Sequence, residues 1–435
     1  MSAAHHSFVP RPMPSASRLA LPLLLAAALA ACSLPPEAFE SGPARAVSNA
    51  LAGTDTRVRT VQLHLTGEEA SLPVLSLRGP QTLTLAFDVL TDTGGEPLEV
   101  SFQHTTRDGV PDLLPTEYLT GFERDDITDY RTSGAPAVPY VHYRYSFPNA
   151  LVGFELSGAY RLRVAERGGA VMFERVFYIS EDQAEATLAF GTTLAGGDAG
   201  FSVQPAARVL PRPALAAFDA FQYTVCFARD GRVDAPRCAP EPRLVEQALF
   251  QFYLPREAAF APPAPLFELD LGLLATNQQV LDVDRAARPP TALLDLDYAD
   301  FGGDVRDAVL AVPLVAEAYR DAGDARTQAE YVDVTFRYVP EGQREIPRPV
   351  HVRGSFNDFR TSPETLMTWQ PDGRRYEATL RIKQGAYVYE YVAPGGTPRR
   401  VVALGQANVF TAFVYVADPA RFTDRLVAVQ STLQQ

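Results

Sequence analysis

Histidine, cysteine and tryptophan are scarce in this 435-residue chain, which holds six, three and one of them. Their scarcity removes most of the usual catalytic and metal-binding signatures. No H-E-x-x-H, G-x-S-x-G, Walker A or G-x-G-x-x-G pattern is present, so the marks of zinc peptidases, α/β-hydrolases, P-loop NTPases and dinucleotide-binding folds are all missing. Beyond residue 31 only His64, His104, His142 and His351 remain, widely separated. His64 and His351 lie in alternating strand segments, where a hydrogen-bonded or surface ring is commoner than a catalytic one. A triad built from distant positions needs no adjacency in sequence, but no residue stands out as its nucleophile. The expectation is a non-enzymatic protein with no cofactor and no metal.

Long apolar runs are also missing beyond the N-terminus, so no later stretch reads as a bilayer-spanning helix. At the N-terminus, Arg11 and Arg18 precede the apolar run Leu19–Ala31. That run is too short to span and has the layout of a secretory signal. It ends in Leu29-Ala30-Ala31-Cys32, which resembles a bacterial lipobox. The alternative is an ordinary cleaved signal with a chance cysteine. The reading adopted is lipidation of Cys32, with Met13 a second candidate start, and a mature chain tethered to a membrane rather than spanning it. Removing residues 1–31 takes away two arginines and no acids, moving the formal net charge from −13 to −15. A net-acidic surface argues against a nucleic-acid partner.

With Cys32 assigned to lipid, Cys226 and Cys238 remain. In an oxidising compartment they could close a disulfide around the turn-rich insert ARDGRVDAPR, or stay as two buried thiols. No histidine lies near either, which argues against zinc. Acidic clusters at Asp282-Val283-Asp284 and at Asp295-Leu296-Asp297 with Asp300 and Asp304 are rich in oxygen donors of the kind calcium takes. Their spacing is not that of an EF-hand.

What the chain has in quantity is proline (36) and glycine (29), spread along a sequence that is 46% hydrophobic and 21% charged. That balance is globular, and the punctuation favours many short strands. Val61, Leu63 and Leu65 alternate with polar residues, as do Leu83, Leu85 and Phe87, and later Tyr160, Leu162 and Val164, with the period of half-buried strands. The fold class read from this is all-β, with tandem immunoglobulin-like β-sandwich domains. The expected divisions are a signal peptide (1–31), a tether (32–57), an N-terminal sandwich (58–180), a middle β-domain (181–328), a C-terminal immunoglobulin-like or E-set domain (329–418) and a tail (419–435). Val305–Arg320 is ambiguous between strands and one helix, and strands are preferred.

Two aromatic regions are candidate binding surfaces. The stretch Leu113–Asn149 crowds Tyr118, Phe122, Tyr130, Tyr140, Tyr143, Tyr145 and Phe147 between two strands. It is either a packed cover or a binding loop. Near the C-terminus, GSFNDF (Gly354–Phe359), Trp369 and the alternating Tyr387, Tyr389 and Tyr391 resemble the carbohydrate-binding modules fused to amylases, in which exposed rings stack on sugars. The competing reading, that these rings are sandwich core, is preferred.

Several blocks together resemble the type IX secretion system plug protein family. They are VRTVQLHLTGEEASLPVLSLRGPQTLTLAFDVL (Val58–Leu90), LLPTEYLTGFERDDITDY (Leu113–Tyr130), YVHYRYSFPN (Tyr140–Asn149), LSGAYRLRV (Leu156–Val164), and a KQG turn followed by a tyrosine-rich strand (Lys383–Tyr391). The middle domain is similar only loosely. The resemblance implies a periplasmic protein that docks on the outer-membrane translocon barrel of the type IX system and seals its inner mouth; the anchor at the outer membrane comes from the lipobox reading of Cys32, which departs from the family's pattern. It makes Tyr118, Phe122, Tyr130, Tyr140 and Tyr143 the first candidates for contact with that barrel. The alternative function is a glycan-binding outer-membrane lipoprotein working through the C-terminal domain.

Overall fold

The computed structural model describes residues 55–134, 136–194, 201–246, 249–261, 266–299, 311–394 and 408–434. The signal segment, Cys32, nearly all of the tether, Asp300 and Asp304 lie outside these residues. Among them the chain is all-β, three two-sheet sandwiches with only single turns of helix.

The first sandwich follows the alternation in its sequence. One sheet runs in the order Val58–Leu65, Leu83–Leu90, Tyr140–Phe147, Asp129–Thr132. The other runs Val74–Ser76, Val171–Ser180, Gly158–Glu166, Leu98–Thr105, Arg124–Ile127. Inward-facing residues of both sheets, among them Leu85, Phe87, Val100, Phe102, Phe147, Leu162 and Phe177, make its core. Successive side chains point to opposite faces, so Asp88, paired with His142 in register, lies on the outer face of its sheet.

Long-range pairing redraws the other boundaries. Phe267–Asp270 pairs with Ala386–Val392, and Thr291–Tyr298 runs parallel to Tyr331–Val339. Residues 266–299 therefore belong to the third sandwich, not to a middle domain reaching 328. The strand Asn408–Asp418 pairs with Tyr223–Arg229 on one side and Thr423–Gln434 on the other. What local pattern assigned to the third domain and to a tail is thus half of one sheet of the middle sandwich. Its core joins Leu188, Val209, Tyr223 and Phe252 to Phe410, Val414 and Val427. The third sandwich is an insertion within the middle one. Its own core holds Phe267, Leu294, Val334, Phe336, Tyr389 and Tyr391.

The strands expected in Val305–Arg320 are not found in its described part. Residues 311–320 are turns and irregular chain, with a single bridge from Leu314 to Ala386. This segment is held by side-chain bonds instead, described below.

A chain ending at Asp418 would lose the strand Thr423–Gln434 and expose its neighbour, including buried Phe413 and Val414. We expect this truncation to unfold the middle sandwich, lowering the yield of soluble protein and splitting the thermal transition into two. A truncated chain with an unchanged single transition would restore the reading of 419–435 as a tail.

Candidate functional site

The outer face of the first sandwich is covered by the third, and the contact centres on the KQG turn. Lys383 Nζ lies 2.6 Å from Asp88 Oδ2, and both side chains are 1% exposed. His142 Nδ1 is 2.7 Å from Asp88 Oδ1, and the Tyr331 hydroxyl donates to Asp88 Oδ2 at 2.7 Å. Thr60 Oγ1 meets the Tyr331 hydroxyl at 2.9 Å, at a shift in strand register between Arg59 and Gln62. Lys383 Nζ also stands 4.2 Å from the centre of the Tyr140 ring, whose hydroxyl donates to the Ala329 carbonyl. Lys383 is the only lysine in the sequence, every other basic side chain of its kind being arginine.

Burial alone would push the Asp88 carboxyl up. The charge on Lys383 and the bond to His142 outweigh it and hold the group below the usual carboxylate range, as an ion. The other two residues of the turn are equally constrained. Gln384 exchanges bonds with Glu330 through its backbone N–H and its side-chain oxygen, and donates to Asp321. Gly385 passes so close to the segment above that a Cβ would stand 2.7 Å from the Leu314 carbonyl oxygen. That segment is tied in turn by Glu69 of the first sandwich, whose carboxylate accepts the backbone N–H groups of Val315, Ala316 and Glu317 at 2.9–3.0 Å. Successive N–H groups converging on one carboxylate form a small anion nest.

Cys226 and Cys238 face each other across paired strands and are joined by a disulfide with S–S 2.02 Å. The insert they bracket is a junction piece. Tyr178 of the first sandwich donates to the Val233 carbonyl at 2.6 Å, and Arg232 lies over the Phe359 ring of the third and beside its Glu390. Val233, Cys226, Phe413 and Tyr415 pack with Ala159, Val176 and Tyr178 in one apolar cluster between the first and middle sandwiches.

Of the residues nominated for partner contact, Tyr118, Tyr140 and Tyr143 lie in the interior, at 1%, 0% and 3% exposure. Tyr118 donates to the Phe102 carbonyl, and Tyr130 stands against Tyr143 at 5.4 Å. The stretch is therefore mostly cover and strand, with Tyr140 and Tyr143 in the buried strand Tyr140–Phe147. Phe122 differs, at 62% exposure. It follows the short strand Leu119–Gly121, which pairs with Val152–Phe154, and its N–H donates to the Leu151 carbonyl. Gly121 takes φ +92°, and a Cβ there would meet the Leu151 carbonyl oxygen at 2.1 Å. Only glycine permits this approach. Leu114 and Leu151 are exposed beside this ribbon.

The remaining candidates resolve into structural roles. His104 is buried, 2.7 Å from Asp112 and 3.2 Å from the Ser157 carbonyl, and His351 meets Thr365. Among the described residues no group of three or more His, Cys, Asp or Glu could hold a metal ion. Asp297 is engaged inside the third sandwich, accepting from Tyr389 (2.7 Å), Tyr391 (2.6 Å) and Gln279 (3.0 Å). The Tyr387–Tyr389–Tyr391 stripe is core, and Trp369 packs half-buried on Tyr376 at 4.9 Å. The stripe leaves no exposed stacking platform for a sugar.

The geometry defines a class: three β-sandwiches fastened to one another by buried polar contacts, with an exposed apolar ribbon at one end. Residues 58–181, the span of the first sandwich, match the family described as the Type 9 secretion system plug protein 1st domain. The crystal structure of a hypothetical protein from Parabacteroides merdae ATCC 43184 has the same fold. It superposes with a TM-score of 0.74 at 20% identity, over 88% of this chain and 98% of that one. A biofilm-associated protein BSP domain reaches a TM-score of only 0.18 at 5% identity, over 88% of this chain and 59% of that one, and carries no argument. No curated protein matches the chain.

Two measurements probe these buried groups. Lys383→Met leaves the buried Asp88 carboxylate without its lysine cation, which should cost about 3–5 kcal/mol in urea denaturation, whereas adding Asp88→Asn should recover most of the loss. A single variant as stable as the wild type would show the pair to be incidental. Burial pushes Asp297 up to about 6, against the pull of its three hydrogen bonds. A carboxyl raised on folding destabilises above its folded pKa, and the penalty is relieved as pH falls from about 6 to 4. Wild type should therefore gain up to about 3 kcal/mol over Asp297→Asn between pH 7.5 and pH 4. A pH-independent difference would contradict this.

Proposed function

We propose that this protein is a non-enzymatic periplasmic plug that occupies the inner mouth of the outer-membrane translocon barrel of the type IX system, anchored by lipid at Cys32. The observation that carries the reading is the plug-domain match over residues 58–181, together with the solvent-exposed apolar ribbon that this domain presents.

Two physical features support it. Domains of one chain move relative to each other by default unless their interface is extensive and apolar or otherwise fixed. Here buried bonds at Asp88, Glu69 and the Cys226–Cys238 insert fix all three sandwiches, which suits a part that must close a wide barrel against leakage. The second feature is polarity along the first sandwich. Asp55, where the described chain starts, bonds to Met172, and neighbouring Arg57 reaches Glu166. The ribbon with Phe122 and Leu151 lies toward the opposite end of the strand Gly158–Glu166, roughly 25 Å away at the usual rise per residue. Exposed apolar side chains gathered at one end of the first sandwich suit a part that docks end-on.

Phe122→Glu puts a charge on the ribbon without touching the core. In a pull-down through the tagged mature chain, it should reduce recovery of the translocon barrel at least tenfold, with the melting temperature unchanged. Full recovery by the variant would remove the ribbon from the contact. Failure of the wild type to retain the barrel would remove the plug reading itself.

A further inference from the structure

We infer that the middle sandwich supplies a second contact to the same partner, through Phe422; this rests on the plug reading and extends it to a domain outside the family match. Phe422 closes the turn between the strands Asn408–Asp418 and Thr423–Gln434. It is 85% exposed, the highest value among the exposed large apolar side chains of the described residues. Its φ is +56°, in the left-handed region, where glycine or asparagine fits without strain and a bulky side chain is an outlier. Neither folding nor solubility favours a phenylalanine in that conformation with its ring in water. Strained residues of this kind collect where a surface is used.

The turn is held rigidly and joined to the first sandwich. Its backbone bonds to Asp418 at Ala420 and Arg421. Thr423 Oγ1 donates to Asp112 Oδ2 at 2.5 Å, while Arg107 pairs with Asp424 at 2.6 Å and donates its backbone N–H to the same carboxylate. Arg107 and Asp112 belong to the loop that presents Val110 and, two residues past Asp112, Leu114, at 58% and 68% exposure. Leu114 caps the helical turn Pro115–Tyr118, which leads through Leu119–Gly121 to Phe122. Bonded loops thus carry a series of exposed apolar side chains from Phe422 through Val110 and Leu114 to Phe122 and Leu151.

This continuity selects the occupant. A partner that receives Phe122 on this end of the molecule meets Phe422 across loops that cannot move apart, because the Asp112 and Asp424 bonds span the two domains. Glu117 and Glu123 flank the ribbon and Arg421 stands beside Phe422, so the fitting surface is a protein with apolar pockets and a rim carrying charges of both signs.

The test compares Phe422→Gly with Phe122→Glu in the full mature chain, measuring binding to the purified translocon barrel and melting temperature. Glycine relieves the left-handed backbone, so Phe422→Gly should melt at or above the wild-type temperature, yet bind at least tenfold more weakly. Wild-type binding by Phe422→Gly, with loss in Phe122→Glu, would overturn the second contact and leave the plug reading standing. Loss of binding together with a lowered melting temperature in Phe422→Gly would make the ring structural and overturn it too. No binding by the wild type would overturn the plug reading on which this one rests.

Discussion

The architecture depends on a buried carboxylate. Asp88 stands on the outer face of a sheet, where solvent would normally satisfy it, and the third sandwich closes over it. Such a closure is affordable only with a cation and further donors in place, because an isolated buried charge is strongly unfavourable. Lys383, His142 and Tyr331 fill those roles at 2.6–2.7 Å. The geometry of four side chains from two domains therefore fixes how the domains meet. A buried ion pair contributes less to stability than an apolar contact of the same volume, but it tolerates little displacement. In this chain the pair reads as a device for orientation, with the apolar cluster around Tyr178 and Phe413 supplying adhesion between the first and middle sandwiches.

Local pattern revealed strands well and partners poorly. The alternation shows in the burial of Gly158–Glu166, since period two is a property of the backbone itself, whereas Leu83–Leu90 is buried at seven of its eight positions and Val58–Leu65 at Val58 and Gln62 alone. Asn408–Asp418 is buried on both faces and so carries no alternation to betray its neighbours. Its pairing with Tyr223–Arg229 crosses almost two hundred residues, and nothing within either segment encodes that distance. The same gap explains the domain boundaries. An inserted sandwich looks in sequence like a domain followed by a tail.

Three of the five candidate contact residues lie buried, and the reason is related. Tyr118, Tyr140 and Tyr143 attract notice as aromatics in a stretch rich in turn residues, yet tyrosine serves equally as core with a polar tip, and each hydroxyl here finds a backbone carbonyl. Phe122 is separated from them by exposure alone, which has no local signature beyond the Gly121 that precedes it. Lys383 was legible in hindsight. A lone lysine in a chain of arginines is unusual, and its place in a tight hairpin between two strands hid the charge it meets across the domain boundary. Phe422 gave no signal, because its backbone conformation is set by the turn and not by any motif.

The seclusion of Lys383 has a practical side. Succinimidyl esters, aldehydes and other amine-seeking reagents find no ε-amino group on the surface of the folded protein, so cross-linking maps built on them would pass over it even in an intact complex. Carboxyl-directed or photoactivated chemistry is needed to see its neighbours. The same blindness is useful, because acylation at that one nitrogen would register only when the first and third sandwiches part, giving a single-site clock for their separation.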